Sequence, residues 1–194
     1  MADARWQALV AERVGEFGRV AAAVADEDLQ RAVIQVGELL VRTYAGGGQT
    51  LFAGNGGSAA QAQHAAAEFV GRCTRDRRPL PSIALTEPTV VTALANDYGY
   101  EQVFARQVAA YGRPGDALVV LSTSGRSGNV LRALQEGRAR GLATVALTGG
   151  DGGDLLGAAD HVLLAPSSRT GAVQEVHALW CHVWAEMVEV ALEA

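Results

Sequence analysis

Apolar residues recur at helical spacing through the first forty positions. Trp6, Leu9, Val10, Val14, Phe17 and Val20 form one set, and Leu29, Val33, Val36, Leu39 and Leu40 form the next. Steps of three and four place each set on one helix face. The acidic run Asp26-Glu27-Asp28 marks their junction and Gly46-Gly47-Gly48 ends the second helix, so residues 1–48 predict an α-hairpin. After it the period changes. Short apolar runs predict strands at 50–53, 82–85, 117–121, 143–147 and 161–164. Between them lie helical segments at 58–71, 88–95, 101–111 and 127–140, a short turn of helix at 154–157 and a closing helix over 172–192. This alternation predicts an α/β fold with three αβα layers, built on a five-stranded, mostly parallel sheet. At 194 residues the chain suits one domain, with the hairpin 1–48 preceding a core over 49–194.

Ligands in such folds collect where strands end at their carboxyl side, and two turns there carry chemistry. Gly54-Asn55-Gly56-Gly57-Ser58 follows the first strand and opens a helix, so its backbone amides face whatever binds. Six residues later, His64 and Glu68 stand four apart, roughly 40° from one another around the helix axis, and can share a metal or a substrate atom. The second turn, Ser122-Thr123-Ser124-Gly125-Arg126-Ser127, brings four hydroxyls to the start of a helix. Hydroxyls and unpaired amides at a helix N-terminus make an anion site, and phosphate is the anion they fit. The plainer reading leaves Ser127 as a helix cap and the other hydroxyls as turn formers.

Composition removes several mechanisms. All 16 basic residues are arginine, so imine chemistry on lysine, a pyridoxal phosphate Schiff base and a lysine-centred P-loop are excluded. The chain has no G-x-S-x-G elbow, and Cys73 and Cys181 form no C-x-x-C pair. Acid/base or metal-assisted work by carboxylate and histidine is what remains. A net charge of −5 argues against a nucleic-acid partner, although Arg72, Arg75, Arg77 and Arg78 cluster and could meet an anionic ligand. With no charged-then-apolar leader and no long apolar run, the sequence predicts a soluble, cytoplasmic protein without a membrane partner.

The closing helix holds Gln174, Glu175, His177, Cys181 and His182 within little more than two turns. Helical geometry leaves the choice among them open. His177 and Cys181 form an i, i+4 pair able to bind a soft metal, Glu175 and His182 lie nearly in line, and Gln174 and His182 are roughly 80° apart. Packing of a histidine against Trp180 and Trp184 is the competing reading.

Taken together, Gly54-Asn-Gly-Gly-Ser58, His64-x-x-x-Glu68, Ala95-Asn96-Asp97, Ser122-Thr-Ser-Gly-x-Ser127, Leu147-Thr-Gly-x-Asp-Gly-Gly153 and Gln174-Glu-x-His with a later His182 resemble the ordered motifs of the phosphoheptose isomerases, which are sugar isomerase (SIS) domain enzymes. The resemblance covers nearly the whole chain. It implies conversion of sedoheptulose 7-phosphate to D-glycero-D-manno-heptose 7-phosphate by a homotetramer with sites at subunit interfaces. Substrate contacts are implied at Asn55, Gly56, Gly57, Ser58, Glu68, Asn96, Asp97, Ser122, Thr123, Ser124, Ser127 and Gln174. Zinc ligation is implied for His64, Glu68, Gln174 and His182.

The implied chemistry agrees with the residues read independently. A carbonyl shift from C2 to C1 needs a base for the C1 proton, an enediol intermediate and an acid serving the oxygens; Glu68 and His182 are the expected acid/base pair. Two positions depart from the family pattern: Arg126 stands where asparagine is usual, and Gly171 near where some members carry aspartate. The alternatives are another sugar-phosphate isomerase, or a non-catalytic SIS protein that binds a replication initiator or senses a sugar phosphate. A pure interaction protein would have no physical need for both Glu68 and His182.

Overall fold

The computed structural model describes residues 3–192. Two helices lead, α1 (Ala4–Val24) and α2 (Glu27–Ala45), each capped by an aspartate. The Asp3 side chain accepts the Arg5 amide, and the Asp26 side chain accepts the amides of Asp28 and Leu29, relieving the unpaired donors of a first turn. The core then alternates: β1 (Thr50–Gly54), α3 (Gly57–Val70), β2 (Ser82–Ala84), α4 (Pro88–Tyr98), α5 (Val103–Tyr111), β3 (Ala117–Leu121), α6 (Gly128–Ala139), β4 (Ala143–Gly149), β5 (His161–Ala165) and α7 (Thr170–Leu192). Short 3-10 turns at Tyr100–Gln102 and Gly153–Leu155 complete it. The main differences from the sequence reading are ends: α4 runs three residues past 95, and α7 starts two before 172.

All four strand pairings are parallel, in the order β2-β1-β3-β4-β5. β1 and β3 are buried along their whole length, which is why they read as unbroken apolar runs. Alternate residues feed two cores. Phe52, Val119 and Val145 pack with α2, α3 and α7 on one face, and Leu51, Leu118 and Val120 pack with α5 and α6 on the other. The chain leaves β1 toward β2 on one side and returns to β3 on the other. The β1/β3 boundary is therefore the switch point, and both ligand turns open there.

α2 lies along α7, fixed by a hydrogen bond from the Trp184 indole to the Val33 carbonyl, 2.9 Å. α1 behaves differently. Val20 is its one buried residue among those described, while Trp6, Val10, Val14 and Phe17 remain 56–65 % exposed. The stripe that predicts an amphipathic helix forms, and this chain alone does not cover it. Among the described residues, no helix is long and apolar enough to cross a membrane.

Candidate active site

The glycine turn after β1 depends on its smallest residue. Gly56 has φ +55° and ψ −121°, a conformation side chains avoid, and the space where a Cβ would project is open. Gly57 starts α3 with the Gln174 side chain against its Cα. Ser58 sits beneath the turn, 4 % exposed, against Gly54. A cavity of about 270 Å³ beside the turn is lined by Gly54, Asn55, Gly56, Thr86 and Tyr100, among others.

Two to three turns along α3 the chemistry converges. His64 and Glu68 meet His182 of α7, and one donor atom from each lies within 4.8 Å of the others. The His64 and His182 Nε2 atoms are 2.8 Å apart, and His64 Nε2 is 3.5 Å from the Glu68 carboxylate. Two ring nitrogens this close hold at most one proton between them, or turn two lone pairs toward a shared cation. Two imidazoles and a carboxylate are a donor set that suits zinc. Gln61, one turn before His64, donates to the Gln174 carbonyl at 2.6 Å and ties α3 to the start of α7.

His177 lies five residues before His182 and faces the other way. It is fully buried, its Nε2 donates to the Thr148 carbonyl at 3.1 Å, and its ring stacks on Trp180. Burial lowers its pKa to about 4, only partly offset by the Thr148 bond, so the ring is neutral. Cys181 is buried too, and burial pushes its thiol up to about 12. The structure thus assigns this pair to packing. Glu175 is exposed, and among the described residues it takes no part in the His/Glu cluster.

The hydroxyl turn borders a cavity. Ser127 stands at the N-cap of α6 with no capping bond from its side chain, and its Oγ lies 3.2 Å from that of Ser122. Ser124 Oγ accepts the Arg126 amide at 3.3 Å. Thr123 and Ser124 line a cavity of about 380 Å³ together with Gly149, Gly150 and Ser168. The guanidinium of Arg126 pairs in bidentate fashion with Asp151, at 3.0 and 2.6 Å, and so stitches this turn to the loop after β4. Gly125 permits the fit: a Cβ there would meet the Gly152 carbonyl oxygen at 2.0 Å.

Asn96 and Asp97 are on the exposed side of α4, joined to each other at 2.8 Å. Among the described residues, no hydrogen bond links either to the other candidates. Gly171 lies in the first turn of α7, next to the Arg169 side chain. Within the arginine cluster, Arg77 turns inward. It donates to the carbonyls of Glu68, Phe69 and Gly71 at the end of α3, at 2.6, 2.8 and 3.1 Å. Its Nε is 3.7 Å from Glu189, a buried carboxylate that also accepts the amides of Cys73, Thr74 and Arg75. Burial alone would raise the Glu189 pKa; those hydrogen bonds outweigh it and hold it low.

Sequence reasoning missed three contributors: Asn129, Tyr100 and Glu189. Asn55 and Asn129 exchange two amide hydrogen bonds of 2.9 Å each, and the Tyr100 hydroxyl donates to Asn55 Oδ1 at 2.8 Å. No local spacing signals a pair 74 residues apart. The parallel pairing of β1 with β3 brings them together.

Comparisons with known proteins extend this geometry. The SIS domain family model matches residues 16–149. A phosphoheptose isomerase of Roseiflexus sp. (strain RS-1) is 52% identical over 161 residues, covering 82% of each chain. One from Burkholderia pseudomallei (strain K96243) is 46% identical over 182 residues, 93% of this chain and 92% of the relative. The solved structure of phosphoheptose isomerase from Neisseria gonorrhoeae superposes with a TM-score of 0.89 at 38% identity, covering 95% of this chain and 99% of that one.

Proposed function

Because this chain belongs to the SIS domain family and to its phosphoheptose isomerases, we propose that Glu68 and His182 carry the proton transfers of its reaction. The reaction is the aldose–ketose isomerisation of sedoheptulose 7-phosphate to D-glycero-D-manno-heptose 7-phosphate. The observation that carries the assignment is the convergence of His64, Glu68 and His182 from two helices, α3 and α7.

The Ser122–Ser127 turn holds the phosphate through hydroxyls and the unpaired amides of α6. That fixes one end of an extended sugar and leaves the carbonyl end beside the glycine turn. One of Glu68 and His182 takes the C1 proton of the ketose, giving an enediol, and the other serves the oxygens before a proton returns to C2. Glu68 is mostly shielded, with 18 % of its side chain exposed, so it works away from bulk water. His64, Glu68 and His182 are a donor set that would hold zinc, the family resemblance adds the Gln174 amide oxygen, whose side chain lies against Gly57, and the metal would polarise the carbonyl as a Lewis acid. Asn55, Gly56, Gly57, Asn96 and Asp97 complete the proposed substrate contacts, Asn96 and Asp97 reaching a site in an assembly. We read the assembly as a homotetramer in the cytoplasm, supported by the uncovered apolar stripe of α1.

Purified protein incubated with sedoheptulose 7-phosphate should form the aldose by NMR; no conversion with or without added zinc overturns the assignment. Light scattering at micromolar concentration should give four chains, and a monomer mass overturns the assembly.

A further inference from the structure

The switch-point crevice between β1 and β3 is bridged by side chains. Asn55 Nδ2 donates to Asn129 Oδ1 and Asn129 Nδ2 donates to Asn55 Oδ1, each at 2.9 Å, while the Tyr100 hydroxyl adds a third bond to Asn55 Oδ1. Asn129 is 4 % exposed and lies in the first turn of α6, directly behind the hydroxyl turn. Asn55 is in the glycine turn. A reciprocal amide pair fixes both distance and orientation, because each amide presents a donor and an acceptor to the other in one plane. Removing Asn55 leaves the buried Asn129 amide unmatched, and removing Asn129 leaves the half-buried Asn55 amide held by Tyr100 alone.

We propose that Asn129 is a positioning residue that acts through Asn55, holding the glycine turn in register with the phosphate turn. Phosphate seated on α6 thereby sets where the carbonyl end of the sugar meets Asn55, Gly56 and the acid/base pair. The distance between the two turns is a ruler for the substrate chain, and Asn129 is its fixed mark. This inference rests on the isomerase reading above.

Registry of reacting groups is worth large factors when it slips by an ångström, so Asn129→Ala should lower kcat/KM for sedoheptulose 7-phosphate roughly tenfold or more. Three readouts separate positioning from simple loss of structure. Inhibition by inorganic phosphate, which needs only the hydroxyl turn, should keep its wild-type strength in Asn129→Ala. The double variant Asn55→Ala/Asn129→Ala should be no slower than Asn55→Ala alone, since Asn129 works through Asn55. Tyr100→Phe, on an exposed ring, should show the same pattern with a smaller loss, and it serves if Asn129→Ala does not fold. Additive losses in the double variant, or phosphate inhibition weakened in step with turnover, overturn the proposal. If the wild-type protein binds but does not turn over the sugar phosphate, the isomerase reading fails separately. The same variants then test Asn129 by calorimetry, comparing affinity for sedoheptulose 7-phosphate with that for inorganic phosphate.

Discussion

His177 and His182 share helix α7, and the helix treats them oppositely. His177 points into the core between Thr148 and Trp180, fully buried, its pKa lowered to about 4. His182 points toward α3 and meets His64 and Glu68. Five residues advance a helix by 500°, a net turn of about 140°, enough to move a side chain from the sheet-facing stripe to its rim. The contrast shows that a histidine's role here follows from what the neighbouring helix presents. Identity and helical spacing leave it open.

The largest test of that contrast is catalytic. Glu68→Gln preserves shape and removes the base, so kcat should fall by about 10² to 10⁴, and His182→Gln should fall by a similar factor in steady-state assays. An active His182 variant beside an inactive His177 variant would reverse the assignment.

The next effect is on stability. The folded pKa of His177 is depressed below the unfolded value of 6.5, so between pH 6.5 and about 4 the unfolded chain binds the extra proton. Stability is full above pH 6.5 and declines as pH falls through that window, by roughly 3 kcal/mol at most. Glu189, with its pKa held low, adds loss in the same direction at lower pH. Denaturant midpoints measured from pH 7 to 4 should fall for the wild type and flatten over the upper part of that range for His177→Gln. An equal slope in both sinks this account of the buried ring.

A smaller effect lies away from α7 altogether. Ser124→Ala removes one neutral hydrogen bond to phosphate, worth about 0.5–1.5 kcal/mol, so KM should rise roughly two- to tenfold with little change in kcat. If sedoheptulose without its phosphate turned over as well as the phosphorylated sugar, the role of this turn would be lost. Smallest of all, His177→Gln should leave kcat and zinc content at wild-type levels at neutral pH.

The sheet was legible because β1 and β3 carry short continuous apolar runs, as strands buried on both faces do. The glycine and hydroxyl turns were legible for a related reason: their composition is costly anywhere but a strand-to-helix junction. The choice of His182 over His177 could not come from α7 alone, since the deciding partner, His64, is 118 residues away. The family resemblance supplied what periodicity could not. Asn129 escaped notice because an asparagine early in a helix reads as a local turn former, and only the β1/β3 pairing turns it toward Asn55. Likewise, Arg77 looked like one more surface charge in an arginine-rich loop. Its 4 % side-chain exposure depends on a glutamate 112 positions later.

That distant glutamate gives the site a place in time. Arg77 closes over the end of α3 with Glu189 opposite it to receive its charge and to gather the amides of Cys73, Thr74 and Arg75. On a ribosome, the helix carrying Glu68 emerges more than a hundred residues before its latch. Until residue 189 has been made and α7 has docked, a buried cation would stand without its counter-charge. Docking of α7 therefore completes the contacts that hold the end of α3, the helix that carries Glu68.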